Sequence, residues 1–163
     1  MRVTLKMFLA IPLSAVILTG CQRQAAENAQ PGATDTSTAT QQVRVETRQA
    51  DPYGTYLTDA EGMSLYLFMA DSSMTSTCYD ACAEAWPPLM APVGDPEAGE
   101  GVNAALLSTF ERTDGSTQVA YNDWPLYYFA QDTAPGQTKG QDVNGFGGDW
   151  YLVSPEGEPI RTE

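Results

Sequence analysis

Leu65-Tyr66-Leu67-Phe68-Met69-Ala70-Asp71 returns 61 residues later as Leu126-Tyr127-Tyr128-Phe129-Ala130-Gln131-Asp132, and this recurrence decides the fold. In each copy the tyrosine and the phenylalanine lie two apart, so on a strand they share one face. Tyr66, Phe68, Tyr127 and Phe129 are therefore expected in the core. A tryptophan follows each copy after a loop, Trp86 in the first and Trp150 in the second. Tyr56-Leu57-Thr58-x-x-Glu61-Gly62 is echoed by Tyr151-Leu152-Val153-x-x-Glu156-Gly157. Two copies are too few for a solenoid, which needs at least three. The expectation is a mainly β fold: a small pseudo-symmetric two-repeat antiparallel β domain, with one short helix after the first repeat.

Working outward, Tyr56–Thr58, the Asp59–Gly62 turn and Ser64–Met69 read as a β-hairpin. Tyr79–Trp86 reads as a two-turn helix stopped by Pro87-Pro88. Ala104–Phe110 fits helix or strand. Strands are expected at 117–121, 126–129 and 150–153, with a long glycine-rich loop over 131–149. Val43–Thr47 alternates and fits a first strand.

Charge and cysteines narrow the chemistry. The formal charge is −13, and from Asp51 onward 18 acidic residues face only Arg112, Lys139 and Arg161. Such a surface repels phosphates, which argues against nucleic acid as a partner. It suits a soluble, self-repelling domain. The chain has no histidine, which removes the commonest general base and every Ser-His-Asp or Cys-His site.

The N-terminal segment places the chain. Arg2 and Lys6 precede an apolar run from Met7 to Leu18, too short to span a bilayer, and the run closes on Leu18-Thr19-Gly20-Cys21. This pattern resembles a bacterial lipoprotein signal with its lipobox. The resemblance implies cleavage after Gly20, lipidation of Cys21, and a mature chain whose charge falls to −15 with Arg2 and Lys6 gone. Residues 1–20 are then the signal peptide, 21–50 the lipidated N-terminus and a disordered tether, and 51–163 the two-repeat domain. The tether is rich in Gln, Ala, Thr and Ser and buries too little to order itself. Its span is about 30 Å. Cys78 and Cys82 remain as an even pair in an oxidising compartment, where a disulfide is expected. Residues four apart on an ideal helix stand too far apart for that bond, so the segment is expected at a turn or helix end.

Tyr66-x-Phe68-x-x-Asp71, Cys78-x-x-x-Cys82…Trp86-Pro87-Pro88-Leu89, and Leu126-Tyr127-Tyr128-Phe129-x-x-Asp132…Gly136-x-x-x-Gly140-Gln141…Trp150 together resemble predicted bacterial lipoproteins with a repeated Y-x-(F/W/Y)-x-x-D motif, also described as a secreted repeat of unknown function. The likeness runs from about Tyr53 to Val153. It implies an envelope location, two repeats and a mainly β fold, and it brings no catalytic residue.

Several side chains compete for chemical roles. Asp71 and Asp132 occupy equivalent ends of the copies; as a pair they would suit a cation or acid–base work. Capping of local turns explains them without a ligand and is the preferred reading. Asp142, Asn144 and Asp149 would be the ligands of an irregular calcium site. The EF-hand pattern itself fails, with Phe146 and Val153 where oxygen ligands belong. Met69, Met74, Cys78 and Cys82 would suit Cu(I) or redox chemistry, against which the oxidising compartment favours the disulfide. Trp124 and Tyr128 are the candidates for a ligand or partner surface. The preferred function is a non-enzymatic, lipid-anchored envelope domain without a cofactor. It is held to the membrane by its lipid and binds another envelope protein or a small ligand, or serves structurally. The alternative is a metal- or electron-handling accessory protein. Gln22 after the acylated cysteine suits outer-membrane sorting in a cell with two membranes.

Overall fold

The computed structural model describes residues 42–162. The signal segment, Cys21 and the tether up to residue 41 lie outside the described residues. Nine strands follow in chain order: β1 Arg44–Ala50, β2 Gly54–Asp59, β3 Tyr66–Phe68, β4 Glu97–Ala98, β5 Leu107–Glu111, β6 Thr117–Tyr121, β7 Trp124–Pro125, β8 Val143–Gly145 and β9 Gly148–Leu152. One short helix, α1 Ala81–Ala85, follows the first repeat. The strands form three small sheets, ordered β2-β1-β4, β3-β9-β8 and β5-β6-β7. Every strand pair is antiparallel except β1 with β4, which is parallel. Among the described residues no helix is long and apolar enough to cross a membrane.

The mainly β, two-repeat expectation stands, and its details shift. The first strand expected at Val43–Thr47 is present as β1, which pairs along its length with β2 and takes up the last seven residues of the segment expected to be tether. Only Val45 of β1 is fully buried, so its polar composition resembles that of a tether. The hairpin expected at 56–69 begins at a single Thr58–Ser64 bridge. β3 then leaves β2 for β9, and the free edge of β2 is closed at Leu57, which accepts from Leu65 N–H and donates to Val153 O. Residues 126–129 run extended but form bridges only at Tyr127, to Tyr66 and Pro88. Residues 104–110 split into a 3-10 turn over Ala104–Leu106 and strand β5. The loop over 131–149 conceals the β8–β9 hairpin, whose two-residue turn, Phe146-Gly147, has φ of 56° and 93°. Positive φ at both turn positions matches the right-handed twist of the flanking strands. α1 is shorter than expected, since Asp80, at φ 50°, starts it late and Trp86 precedes the Pro87-Pro88 stop.

Two apolar clusters fill the interior. One is mainly aliphatic, built on Val45, Leu57, Leu65, Leu67, Val119 and Leu126. The other is aromatic. Phe68, Trp150, Trp86 and Phe129 form a four-ring stack with successive centroids 4.0, 3.9 and 4.2 Å apart. The stack keeps the symmetry of the repeat: each phenylalanine lies on the tryptophan that follows the other copy. Tyr66 meets Trp86 edge-on at 5.5 Å, and Tyr127 meets Trp150 likewise at 5.2 Å. Gly140 lets the chain pass over the stack, since a Cβ there would lie 2.8 Å from Trp86 Cζ3.

One polar atom in this cluster stands out. Tyr56 is fully buried, and its hydroxyl is the only buried side-chain polar atom without a hydrogen-bond partner among the described residues. Removing an unpaired buried hydroxyl removes its desolvation cost. Tyr56→Phe is therefore expected to leave the melting temperature unchanged or to raise it. A loss above about 1 kcal/mol in chemical denaturation would show that the hydroxyl is bonded after all.

Candidate functional site

The repeated motif is a crossed clamp. Tyr66 and Tyr127 exchange backbone hydrogen bonds, Tyr66 N–H to Tyr127 O at 2.8 Å and Tyr127 N–H to Tyr66 O at 2.9 Å. Each phenol then donates to the aspartate of the other copy: Tyr66 to Asp132 Oδ2 at 2.5 Å, and Tyr127 to Asp71 Oδ2 at 2.6 Å. The remaining carboxylate oxygens hold the loops that follow. Asp71 Oδ1 accepts from Thr77 N–H at 2.7 Å and from Thr77 Oγ1 at 2.8 Å, and Asp132 Oδ1 accepts from Lys139 N–H at 2.9 Å. Both aspartates are buried. Burial pushes the Tyr66 and Tyr127 phenols far above their usual range, and the Asp132 and Asp71 carboxylates beside them push the same way. Burial also raises the Asp71 carboxyl, against the opposing pull of Tyr127, Thr77 and Arg112. The hydrogen bonds of these two aspartates thus all run inside the protein, to their own loops and to the opposite tyrosine.

Arg112 extends one arm of the clamp. Its buried guanidinium donates to Ser76 Oγ at 3.0 Å, to Gln118 Oε1 and to Cys78 O at 2.7 Å, and lies 4.3 Å from the Tyr79 ring centroid. Ser76 Oγ in turn shares a 2.7 Å hydrogen bond with the Tyr127 hydroxyl. Cys78 and Cys82 form a disulfide with Cα atoms 5.2 Å apart, Cys78 before α1 and Cys82 in its first turn. The soft sulfurs are not gathered in one place. The cysteines belong to the aromatic cluster, Met69 packs on the aliphatic one, and Met74 Sδ lies 3.8 Å from Ser108 Oγ.

Asn144 and Asp149 face each other across the β8–β9 hairpin, and Asn144 Nδ2 donates to Asp149 Oδ1 at 2.5 Å. Asp142 precedes β8 at φ 59°, its N–H bonded to Trp150 O. Desolvation and the Asp149 and Asp142 carboxylates push the Tyr151 phenol up, while Arg161 lies 5.3 Å from that ring. Among the described residues, no group of three or more acidic or cysteine side chains converges as a metal site.

The two surface candidates separate. Trp124, in β7, is half-buried and packs on the aliphatic cluster. Tyr128, half-buried against the same cluster, also lines a cleft of about 610 Å³. The cleft is built from the entry to β1, the β2–β3 turn, Pro88–Met90 and β4. Asp59 shapes its base. Asp59 Oδ1 accepts from the N–H groups of Glu61, at 3.0 Å, and Met63, at 2.8 Å, and its Oδ2 accepts from the Tyr128 hydroxyl at 3.0 Å. Burial, the Asp59 carboxylate and Glu61 raise the Tyr128 phenol above its usual range. Asp59, Glu61, Glu97 and Arg44 had no distinguishing mark in the sequence. Only the turn pattern Asp59-Ala60-Glu61-Gly62 signalled that a carboxylate would be fixed there.

A family model described as a secreted repeat of unknown function matches the chain twice, over residues 48–90 and 108–154. Each match contains one tyrosine, one aspartate and one tryptophan of the clamp and stack. No curated protein and no solved structure matches the chain.

Proposed function

This chain belongs to the family of the secreted repeat of unknown function, and from that premise we propose a lipid-anchored, non-enzymatic domain of the cell envelope that binds a small ligand or another envelope component. The observation that carries the binding reading is the cleft beside Tyr128. It has fixed polar groups at its base and a size within the about 300–1,000 Å³ usual for small-ligand sites. The clamp supports the non-enzymatic part, because the paired aspartates that would be the obvious acid and base are bonded inward. The absence of histidine agrees with it. Anchorage rests on the Leu18-Thr19-Gly20-Cys21 pattern, and Gln22 favours the outer membrane where a cell has one. The acidic surface leaves nucleic acid outside the partner classes.

Cys21→Ser is expected to abolish acylation and the cleavage after Gly20 that depends on it. The chain then either keeps its signal segment and its full precursor mass or, where another peptidase removes that segment, leaves the membrane fraction. Fractionation with mass spectrometry of the N-terminus checks both. A membrane-bound variant with the mass of the parent's mature form would remove lipid anchorage from the proposal.

A further inference from the structure

We propose that the free edge of β5 takes an extended, basic segment of a partner protein as an added strand. None of the β5 residues lines the Tyr128 cleft, so the two surfaces are separate. β5 is an outer strand of its sheet, and the register fixes which of its backbone groups face outward. Asn122 N–H bonds Leu106 O and Arg112 N–H bonds Ser116 O, both at 2.8 Å, at the two ends of the β5–β6 pair. Antiparallel positions alternate, so Ser108 and Phe110 turn their backbone groups to β6, whereas Leu107, Thr109 and Glu111 turn theirs away. Among the described residues nothing bonds these three N–H and three C=O groups. Leu107-Ser108-Thr109-Phe110-Glu111 holds neither the lysine nor the proline that commonly blunts an edge. Phe110 adds a side-chain contact. It is half-buried yet belongs to neither apolar cluster, and it lies on the sheet face opposite Leu107, which packs on the aliphatic one. Charge selects the partner. Glu111 is exposed at the end of the edge, while the adjacent cation, Arg112, is buried with its guanidinium bonded inward. From Asp51 onward 18 acidic residues stand against three basic ones. A second copy of this chain therefore meets repulsion at the edge, and a basic strand meets attraction. A docked strand that alternates lysine with an apolar residue sets its apolar side chains on the Phe110 face and its lysines on the Glu111 face.

A short peptide of alternating lysine and valine, titrated into the nitrogen-15-labelled full chain and followed by NMR, tests this. Its controls are the same peptide N-methylated at every residue, which cannot pair as a strand, and a glutamate–valine counterpart. The amide signals of Leu107, Thr109 and Glu111 are expected to move downfield as each gains an acceptor, with those of Ser108 and Phe110 moving less. Both control peptides are expected to leave all five in place. Thr109→Pro removes an N–H that bonds nothing in the fold, and is expected to weaken peptide binding about five- to tenfold, with circular dichroism confirming the fold. No movement of the three amides with the lysine peptide would overturn the docking edge. Equal movement with the N-methylated peptide would overturn strand addition, and equal movement with the glutamate peptide would overturn the basic partner. Movement of the same amides on concentrating the chain alone would give the edge to a second copy instead. Undiminished binding by a folded Thr109→Pro would place the peptide elsewhere.

Discussion

Replacing Trp150 by alanine lowers the stability of the folded chain by about 3–5 kcal/mol, the usual cost of emptying a large aromatic site. The ring sits inside the four-membered stack, 3.9 Å from Trp86 and 4.0 Å from Phe68, with Tyr127 edge-on at 5.2 Å. Its loss strips contacts from both repeats at once. The surroundings collapse poorly, because the backbone of β9 that carries Trp150 is bonded to both β3 and β8. Trp86→Ala is expected to cost a similar amount. The two together should cost less than the sum of the singles, by about 0.5–3 kcal/mol, since each single change already removes their shared face. Domains of this kind have only about 5–15 kcal/mol in total, so either change brings the protein close to unfolding. Urea denaturation of the two single variants and the double variant measures all of this. A cost below about 1 kcal/mol for Trp150→Ala, or strict additivity, would mean that the stack does not join the two repeats.

The stack and the clamp show which parts of the fold a sequence reveals. Tyr66, Phe68, Tyr127 and Phe129 were legible as core because a strand has period two and the pattern occurs twice. Which carboxylate each phenol would meet was not legible. Tyr66 and Asp71 lie in one short stretch, and nothing local says that Tyr66 bonds Asp132 instead. That choice follows from the antiparallel Tyr66–Tyr127 bridge, which sets each copy against the other. The start of β1 was legible in the alternation of Val43–Thr47, but its run to Ala50 was obscured for a different reason. It has one fully buried side chain in seven residues, so a solvated strand and a tether share the same composition. β8 was hidden because its turn uses Phe146 at positive φ, a conformation that its residue type does not advertise. The cleft drew on five separated stretches, of which only Tyr128, by its place on the strand face opposite Tyr127 and Phe129, and the Asp59–Gly62 turn had a local signal.

The clamp also fixes how the protein responds to alkali. An unfolded chain loses its phenol protons near pH 10, whereas the folded chain holds Tyr66, Tyr127 and Tyr128 protonated well beyond that point. In each case burial is the main cause, with a neighbouring carboxylate adding to it. Above pH 10 the native state therefore binds more protons than the unfolded state, and stability must fall as pH rises. Each such tyrosine removes about 1.4 kcal/mol per pH unit while its folded form stays protonated. Three acting together remove about 4 kcal/mol per pH unit, so a stability of about 5–15 kcal/mol is exhausted about one to four units above pH 10, and cooperative unfolding is expected from about pH 11 upward. Tyr127→Phe separates the two roles of the phenol. At neutral pH it leaves the buried Asp71 short of a donor and costs about 1–3 kcal/mol. Above pH 10 it removes one of the three contributions, so its stability declines less steeply than that of the parent chain. Urea denaturation at intervals from pH 8 to 12 records both effects. A stability that stays flat to pH 12, or a Tyr127→Phe slope equal to the parent's, would show that these hydroxyls ionise as freely inside the protein as outside it.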